Sequence, residues 1–160
     1  MKTETLWLGL RVCALALVGA GSWPQSVGAE EATGSDAVQA ALHCAPRVGK
    51  GRVLCDADIT VKTGRLTWAD AIIIKAPDFA PPLRDRVGMR EATERTNTHL
   101  RLPFALIAQD IGQGTVTIKA RAVWCKVTSL QEKGSVPREL CVSVSYTVSA
   151  GVVAAASPEP

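Results

Sequence analysis

Four stretches of this chain alternate apolar and mostly polar side chains with a period of two, and this pattern constrains the fold more than any other feature. The stretches are residues 53–61, 100–106, 116–124 and 140–148. Successive side chains of an extended strand point to opposite faces, so such alternation places one face in a core and the other in water. We therefore expect an all-β domain in which antiparallel strands form a sandwich.

The rest of the chain contributes further strands of less definite character. Residues 38–42 fit either a single helical turn or a first edge strand, and residues 66–75 contain three consecutive isoleucines that favour a buried strand. Residues 83–96 fit either a short helix or a surface loop, and Gly88 with a weak apolar stripe favours the loop. We expect one domain of about five to seven antiparallel strands over residues 38–149.

The amino-terminal segment has the pattern of a secretory signal peptide over residues 1–29. Lys2 lies in a short polar start, residues 6–20 are mostly apolar, and small or β-branched residues occupy 27–29. Arg11 interrupts the apolar run, which is too short to span a bilayer. We expect cleavage after Ala29, export to a periplasmic or extracellular compartment, and no transmembrane span afterwards. Residues 30–37 then form a flexible start and residues 150–160 a disordered tail.

Export changes how the cysteines are interpreted. Cleavage removes Cys13 and leaves Cys44, Cys55, Cys125 and Cys141. An even number of cysteines in an oxidising compartment indicates two disulfides, and four cysteines allow three pairings. Closeness along the chain favours 44–55 with 125–141, but the sequence alone leaves the pairing open.

The alternation also assigns each cysteine to a strand face. Cys125 and Cys141 fall on the outer side of their strands, so a hairpin would place them side by side and exposed. Cys55 falls on the apolar side, so a bridge from it to Cys44 would be buried and inert. We predict that Cys44–Cys55 is structural and that Cys125–Cys141 is the more accessible pair.

One part of the chain resembles a known family. The segment that runs from residues 101–104 through 114–118 to 123–125, and on to Cys141 and a closing strand, resembles the periplasmic amino-terminal domain of transmembrane thiol:disulfide interchange reductases. The resemblance implies an immunoglobulin-like sandwich with two cysteines on adjacent strands, which pass electrons from a membrane domain to periplasmic acceptors. By this resemblance Cys125 and Cys141 would be the redox pair.

Other chemistries find little support in the sequence. The net charge is only +3, with basic residues interleaved with acids, and aromatic residues make up 4% of the chain, which argues against nucleic-acid binding. His43 and His99 lack the partners at metal-ligand or catalytic-triad spacing, so we expect no metal and no cofactor. Asp56 and Asp58 project from one strand face and are expected to be solvated.

These observations favour an exported, disulfide-containing β-sandwich with a binding or structural role over an enzyme. The expected partner is a protein of the cell envelope. The alternative hypothesis is a thiol-disulfide redox partner that uses Cys125 and Cys141.

Overall fold

The computed structural model describes residues 37–128 and 138–157, which form strands and turns and contain no helix. The all-β prediction is confirmed for this part of the chain. Its strands, in chain order, are β1 (Val38–Cys44), β2 (Arg47–Val48), β3 (Gly51–Val61), β4 (Arg65–Lys75), β5 (Arg86–Gly88), β6 (Glu94–Arg95), β7 (His99–Ala108), β8 (Gly112–Thr128) and β9 (Arg138–Ala155).

The strands form two sheets. The first sheet has the order β1-β3-β7-β6, and the second has the order β2-β9-β8-β4-β5. Neighbouring strands are antiparallel except β2 and β9, which are parallel. This pairing departs from the purely antiparallel expectation because the chain passes from the first sheet to the second after β1, so that β2 lies beside the end of β9. The three strands of only two or three residues are too short to show an alternating pattern.

One apolar core contains residues from both sheets. Ile59 of β3 and Leu102 of β7 are fully buried, as are Ile118 of β8 and Val152 of β9. Along β7 the even-numbered residues are buried and the odd-numbered residues are partly exposed, as the alternation predicts. The outer faces of both sheets are therefore the surfaces on which function has to be sought.

The carboxyl-terminal boundary lies later than the sequence predicts. β9 continues to Ala155, and Val152 and Ala154 are buried opposite β8, so a disordered tail does not begin at residue 150. In residues 83–96 the chain forms β5, β6 and turns, which agrees with the loop rather than the helix. The signal segment 1–29 and residues 30–36 of the flexible start lie outside the described residues.

The turn between β3 and β4 requires glycine. Gly64 has a φ of +96°, and a Cβ atom built on it would lie 2.4 Å from the carbonyl oxygen of Cys125. The turn therefore packs directly against the backbone of β8 at the second disulfide.

Within the described residues there is also no helix with the length and apolar character needed to cross a bilayer.

Candidate functional site

Both disulfides join residues that lie directly opposite each other on neighbouring strands. Cys44 of β1 is bonded to Cys55 of β3, and Cys125 of β8 is bonded to Cys141 of β9. The Cα atoms are 4.0 Å apart in each pair. This is the pairing that closeness along the chain favours, and each bridge lies within one sheet.

The Cys44–Cys55 bridge is anchored in the core. Cys55 is 1% exposed on the inner face of β3, and Cys44 is partly buried against the same cluster of apolar side chains. Its position agrees with the burial expected from the alternation.

The Cys125–Cys141 bridge is only half accessible. Cys141 is exposed, but Cys125 is 3% exposed although it lies on the outer face, so the expectation that both sulfurs are accessible is wrong for Cys125. Two features cover it. Thr67 lies at a bulge in β4, with its hydroxyl oxygen 3.8 Å from the sulfur, and Arg65 forms a 2.8 Å ion pair with Glu139 from the strands on either side.

An ion-paired carboxylate lies beside this bridge. A carboxylate oxygen of Glu139 and the two sulfur atoms all lie within 4.8 Å of one another, and Arg65 pairs with the same carboxylate at 2.8 Å. Because the two sulfurs are bonded to each other, they offer no thiolate to a metal ion.

The outer face of the first sheet carries a closed network of charged side chains. His99 Nε2 lies 2.9 Å from Asp58 Oδ1, and its Nδ1 lies 3.3 Å from Glu94 Oε1. Arg101 donates a 3.0 Å hydrogen bond from Nε to the same Asp58 oxygen, and this bond raises the pKa of Arg101 above its ordinary value. The expectation that Asp58 is simply solvated is therefore wrong. His99 is partly buried.

The charge of a second acid on this face, Asp56, also raises the pKa of Arg101. Asp56 pairs in register with His43, which is exposed at the edge of the sheet. Near His43, Cys44 and Cys55 offer no thiolate to a metal ion, because their two sulfurs are bonded to each other.

The other end of the same outer face is apolar. Leu54 of β3 pairs with Ala105 of β7, and Leu83 donates its backbone N–H to the Ala105 carbonyl at 2.9 Å, so the three residues form one row. Leu54 and Leu83 are 57% and 55% exposed. They line a cavity of about 260 Å³ that Arg52 and Arg84 flank. We call this cavity the Leu54–Leu83 groove.

The groove contains two arginines and one acid, because Glu91 also lines it and accepts a hydrogen bond from the backbone N–H of Gly88. Neither Arg52 nor Arg84 forms an ion pair within residues 37–128 and 138–157, whereas Arg65, Arg86 and Arg121 each do. A second cavity of about 360 Å³, lined by Arg47 and Val48, adjoins the groove at Arg52 and Leu54. The combination of an apolar floor and unpaired guanidinium groups suits a partner that offers both carboxylates and apolar side chains.

Sequence reasoning missed this groove because its residues come from segments far apart in the chain. One signal was present. Leu54 stands on the side of β3 that otherwise carries Asp56, Asp58 and Thr60, so it is an apolar residue on a polar face.

The outer face of the second sheet has a buried acid that is fully paired. Asp70 is 1% exposed, and Arg121 donates two hydrogen bonds to its carboxylate, the one from Nε at 2.8 Å. Arg86 NH2 lies 2.6 Å from the same carboxylate, and the Arg121 guanidinium lies 5.4 Å from the centre of the Trp68 ring. This cluster joins β4, β5 and β8. The hydrogen bond that Arg121 donates to Asp70 raises the pKa of Arg121.

The described residues thus define an all-β, two-sheet protein that is cross-linked by two cross-strand disulfides. No protein-family model, no curated protein and no solved structure matches this chain. Its function has to be inferred from the surfaces described above.

Proposed function

We propose that this protein is an exported binding module with an immunoglobulin-like sandwich, and that the Leu54–Leu83 groove is its binding site. The strand order supports the fold. If β2 is counted as a continuation of the first strand, the sheets follow the A-B-E-D and A′-G-F-C-C′ orders of immunoglobulin domains. The disulfide that links the two sheets of antibody domains is replaced here by one bridge within each sheet.

Two observations support export. Structural disulfides persist in oxidising compartments and are rare in the cytosol. The pattern of residues 1–29 is that of a signal peptide. Together they favour a periplasmic or extracellular setting.

The observation that carries the binding role is the pair of unpaired arginines beside exposed leucines. Apolar area removed from water stabilises a complex by roughly 25 cal/mol per Å². Arginine adds orientation, because its planar guanidinium can hold a carboxylate through two parallel hydrogen bonds. A protein segment with alternating acidic and apolar side chains offers both groups to Arg52, Leu54, Leu83 and Arg84 at once.

Charge reversal in the groove tests this proposal. The probe is a synthetic peptide that alternates glutamate and leucine, titrated by fluorescence anisotropy. Arg52→Glu with Arg84→Glu should weaken its binding by roughly tenfold or more, because two attractions become repulsions. The matched control is Arg95→Glu with Lys119→Glu, which makes the same charge change at exposed residues outside the groove.

The result that contradicts the proposal is equal affinity for all three proteins. A peptide that alternates lysine and leucine provides a second check. If it binds the unaltered protein as well as the acidic peptide does, the arginines do not select the partner.

The exposure of Cys141 favours a second candidate, a thiol-disulfide redox partner. An incoming donor thiolate would attack the sulfur of Cys141, form a mixed disulfide there, and expel Cys125 as a thiolate. The burial of Cys125 disfavours that leaving group, because a buried thiolate is poorly solvated. We therefore rank this candidate second.

The reduction potential of the folded protein separates the two candidates. Structural disulfides lie below about −300 mV, whereas those of exchange proteins lie well above this value. We expect Cys125–Cys141 below about −300 mV. A higher potential together with rapid exchange with thioredoxin would favour the redox candidate.

A further inference from the structure

In the described part of the chain, one edge of β9 lacks a strand ladder along most of its length. The other edge pairs with β8 from Arg138 to Ala154, but on the open side β2 pairs only with Ala154 and Ala155, and β1 lies near β9 without forming a ladder with it. Within the described residues, no backbone group of residues 140–149 forms a ladder on that side. We call residues 140–149 the β9 edge.

The β9 edge lacks the devices that normally protect an open strand. Residues 140–149 include no charged residue, no proline and no glycine. Exposed edges with alternating β-branched and apolar residues pair readily with other strands, and proteins usually block them with lysine, proline or a bulge. This edge is therefore suited to a partner strand.

Apolar side chains on the β9 edge become more exposed toward the amino-terminal end of the strand. On the inner side of the strand the exposed fraction rises from 5% at Tyr146 to 40% at Val142 and 59% at Leu140. Val144 is intermediate between them. A partner that pairs here would cover apolar area as well as backbone groups.

The geometry of the second disulfide indicates which backbone groups face the open side. In an antiparallel pair, a short Cα–Cα distance marks the pairs that do not exchange backbone hydrogen bonds. The 4.0 Å distance at Cys125–Cys141 is of that kind, so the N–H and C=O of Cys141 point away from β8. Every second residue repeats this arrangement, so Ser143 and Ser145 also present their backbone groups to the open side.

We propose that the β9 edge pairs antiparallel with the same edge of a second copy of this chain. A twofold axis at Val142 places Val142 opposite its own copy, Leu140 opposite Val144, and Cys141 opposite Ser143. Apolar side chains then meet apolar side chains on one face, and small polar side chains meet on the other. In this register Glu139 lies opposite Ser145 and Arg138 lies opposite Tyr146, so no like charges oppose each other.

This dimer is independent of the proposed binding groove. The β9 edge is formed by residues 140–149, whereas the groove is lined by residues of β3, β7 and the segment 83–91, which includes Val87 of β5, and by none of β9. Failure of the dimer would leave peptide binding at the groove unchanged, so the two proposals can fail separately.

Hydrogen exchange across a concentration series tests the dimer and its register together. The protein recovered after export, in its disulfide-bonded form, should sediment as a concentration-dependent dimer. The amides of Cys141, Ser143 and Ser145 should become protected as the concentration rises, while those of Val142 and Val144, which bond to β8, stay protected throughout. A protein that remains monomeric, or a dimer in which these three amides exchange at an unchanged rate, would overturn the proposal.

Three variants, one of them a control, make the test more specific. Val142→Lys should weaken the dimer by roughly tenfold or more, because it places a charge opposite its own copy. Ile74→Lys makes the same substitution at a residue of β4 that is 54% exposed, and it should leave the dimer intact. Ser143→Pro removes an outward-facing amide without removing a bond to β8, and it should also dissociate the dimer. Equal dimerisation of all three variants would contradict the pairing.

Discussion

Removing the Cys125–Cys141 disulfide provides a quantitative test of its structural role. The bridge closes a loop with a sequence separation of 16 residues. In the chain-entropy model, opening such a loop lowers the free energy of unfolding by about 3.1 kcal/mol at 25 °C. The Cys44–Cys55 bridge has a separation of 11 residues, for which the same relation yields about 2.8 kcal/mol. Loop closure alone therefore predicts that the two bridges contribute nearly equally to the free energy of unfolding.

Packing distinguishes them only at the less buried cysteine of each pair. Cys55 and Cys125 are both buried, at 1% and 3% exposed, whereas Cys44 is partly buried and Cys141 is exposed. Replacing Cys44 and Cys55 by alanine should therefore destabilise the protein by an amount within about 1 kcal/mol of the effect of replacing Cys125 and Cys141, because each pair of substitutions leaves one small cavity. Each variant retains the other bridge and serves as its control.

Equilibrium unfolding in urea measures both effects. The free energy of unfolding should fall by the amounts above, and the m-value should rise because the unfolded chain becomes less compact. A loss below about 1 kcal/mol for the Cys125 and Cys141 variant would refute the structural role of this disulfide, since a structural bridge of this span contributes about three times as much.

Two further predictions concern a turn and an exposed acid. Gly64→Ala should destabilise the protein by more than the roughly 1–2 kcal/mol of a left-handed backbone, because its Cβ also meets the Cys125 carbonyl. Gly49 has a φ of +76° and lies in open space, so Gly49→Ala should lose only the stability that corresponds to the left-handed backbone. Equal urea midpoints for the two variants would show that the contact with the Cys125 carbonyl adds no cost at Gly64. A hydrogen bond from Lys50 lowers the pKa of Asp110 below its ordinary 3.8, so its stabilisation is present above that value and is lost as the pH falls through the lowered pKa. Asp110→Asn should therefore lose less stability than the unaltered protein between about pH 5 and pH 2, as followed by urea midpoints.

The strands with strong alternation could be predicted from sequence because burial of one sheet face selects that pattern directly. β3 and β7 extend the predicted stretches 53–61 and 100–106 by only one or two residues at their ends. The end of β9 was missed for the opposite reason. Residues 150–155 are small or apolar on both faces, so no contrast distinguishes the side that β8 and β2 cover.

Features that depend on contacts between distant segments could not be predicted in this way. The outer position of Cys125 follows from alternation, but its burial follows from the bulge at Thr67 and the Arg65–Glu139 ion pair, which joins residues 74 apart. The groove likewise combines Leu54 with Leu83, and backbone contacts of residues 81–83 with β7 bring them together. The alternation within one strand indicates neither the burial of Cys125 nor the proximity of Leu54 and Leu83.

Amide chemical-shift mapping tests the proposed binding role most directly. The isotope-labelled protein is titrated with the peptide that alternates glutamate and leucine. Binding at the groove predicts that the largest shifts occur at Arg52, Leu54, Leu83, Arg84 and Ala105 and shrink as salt is added. Shifts that are absent, or that cluster around Cys141 on the other sheet, would contradict the groove as the binding site of this protein.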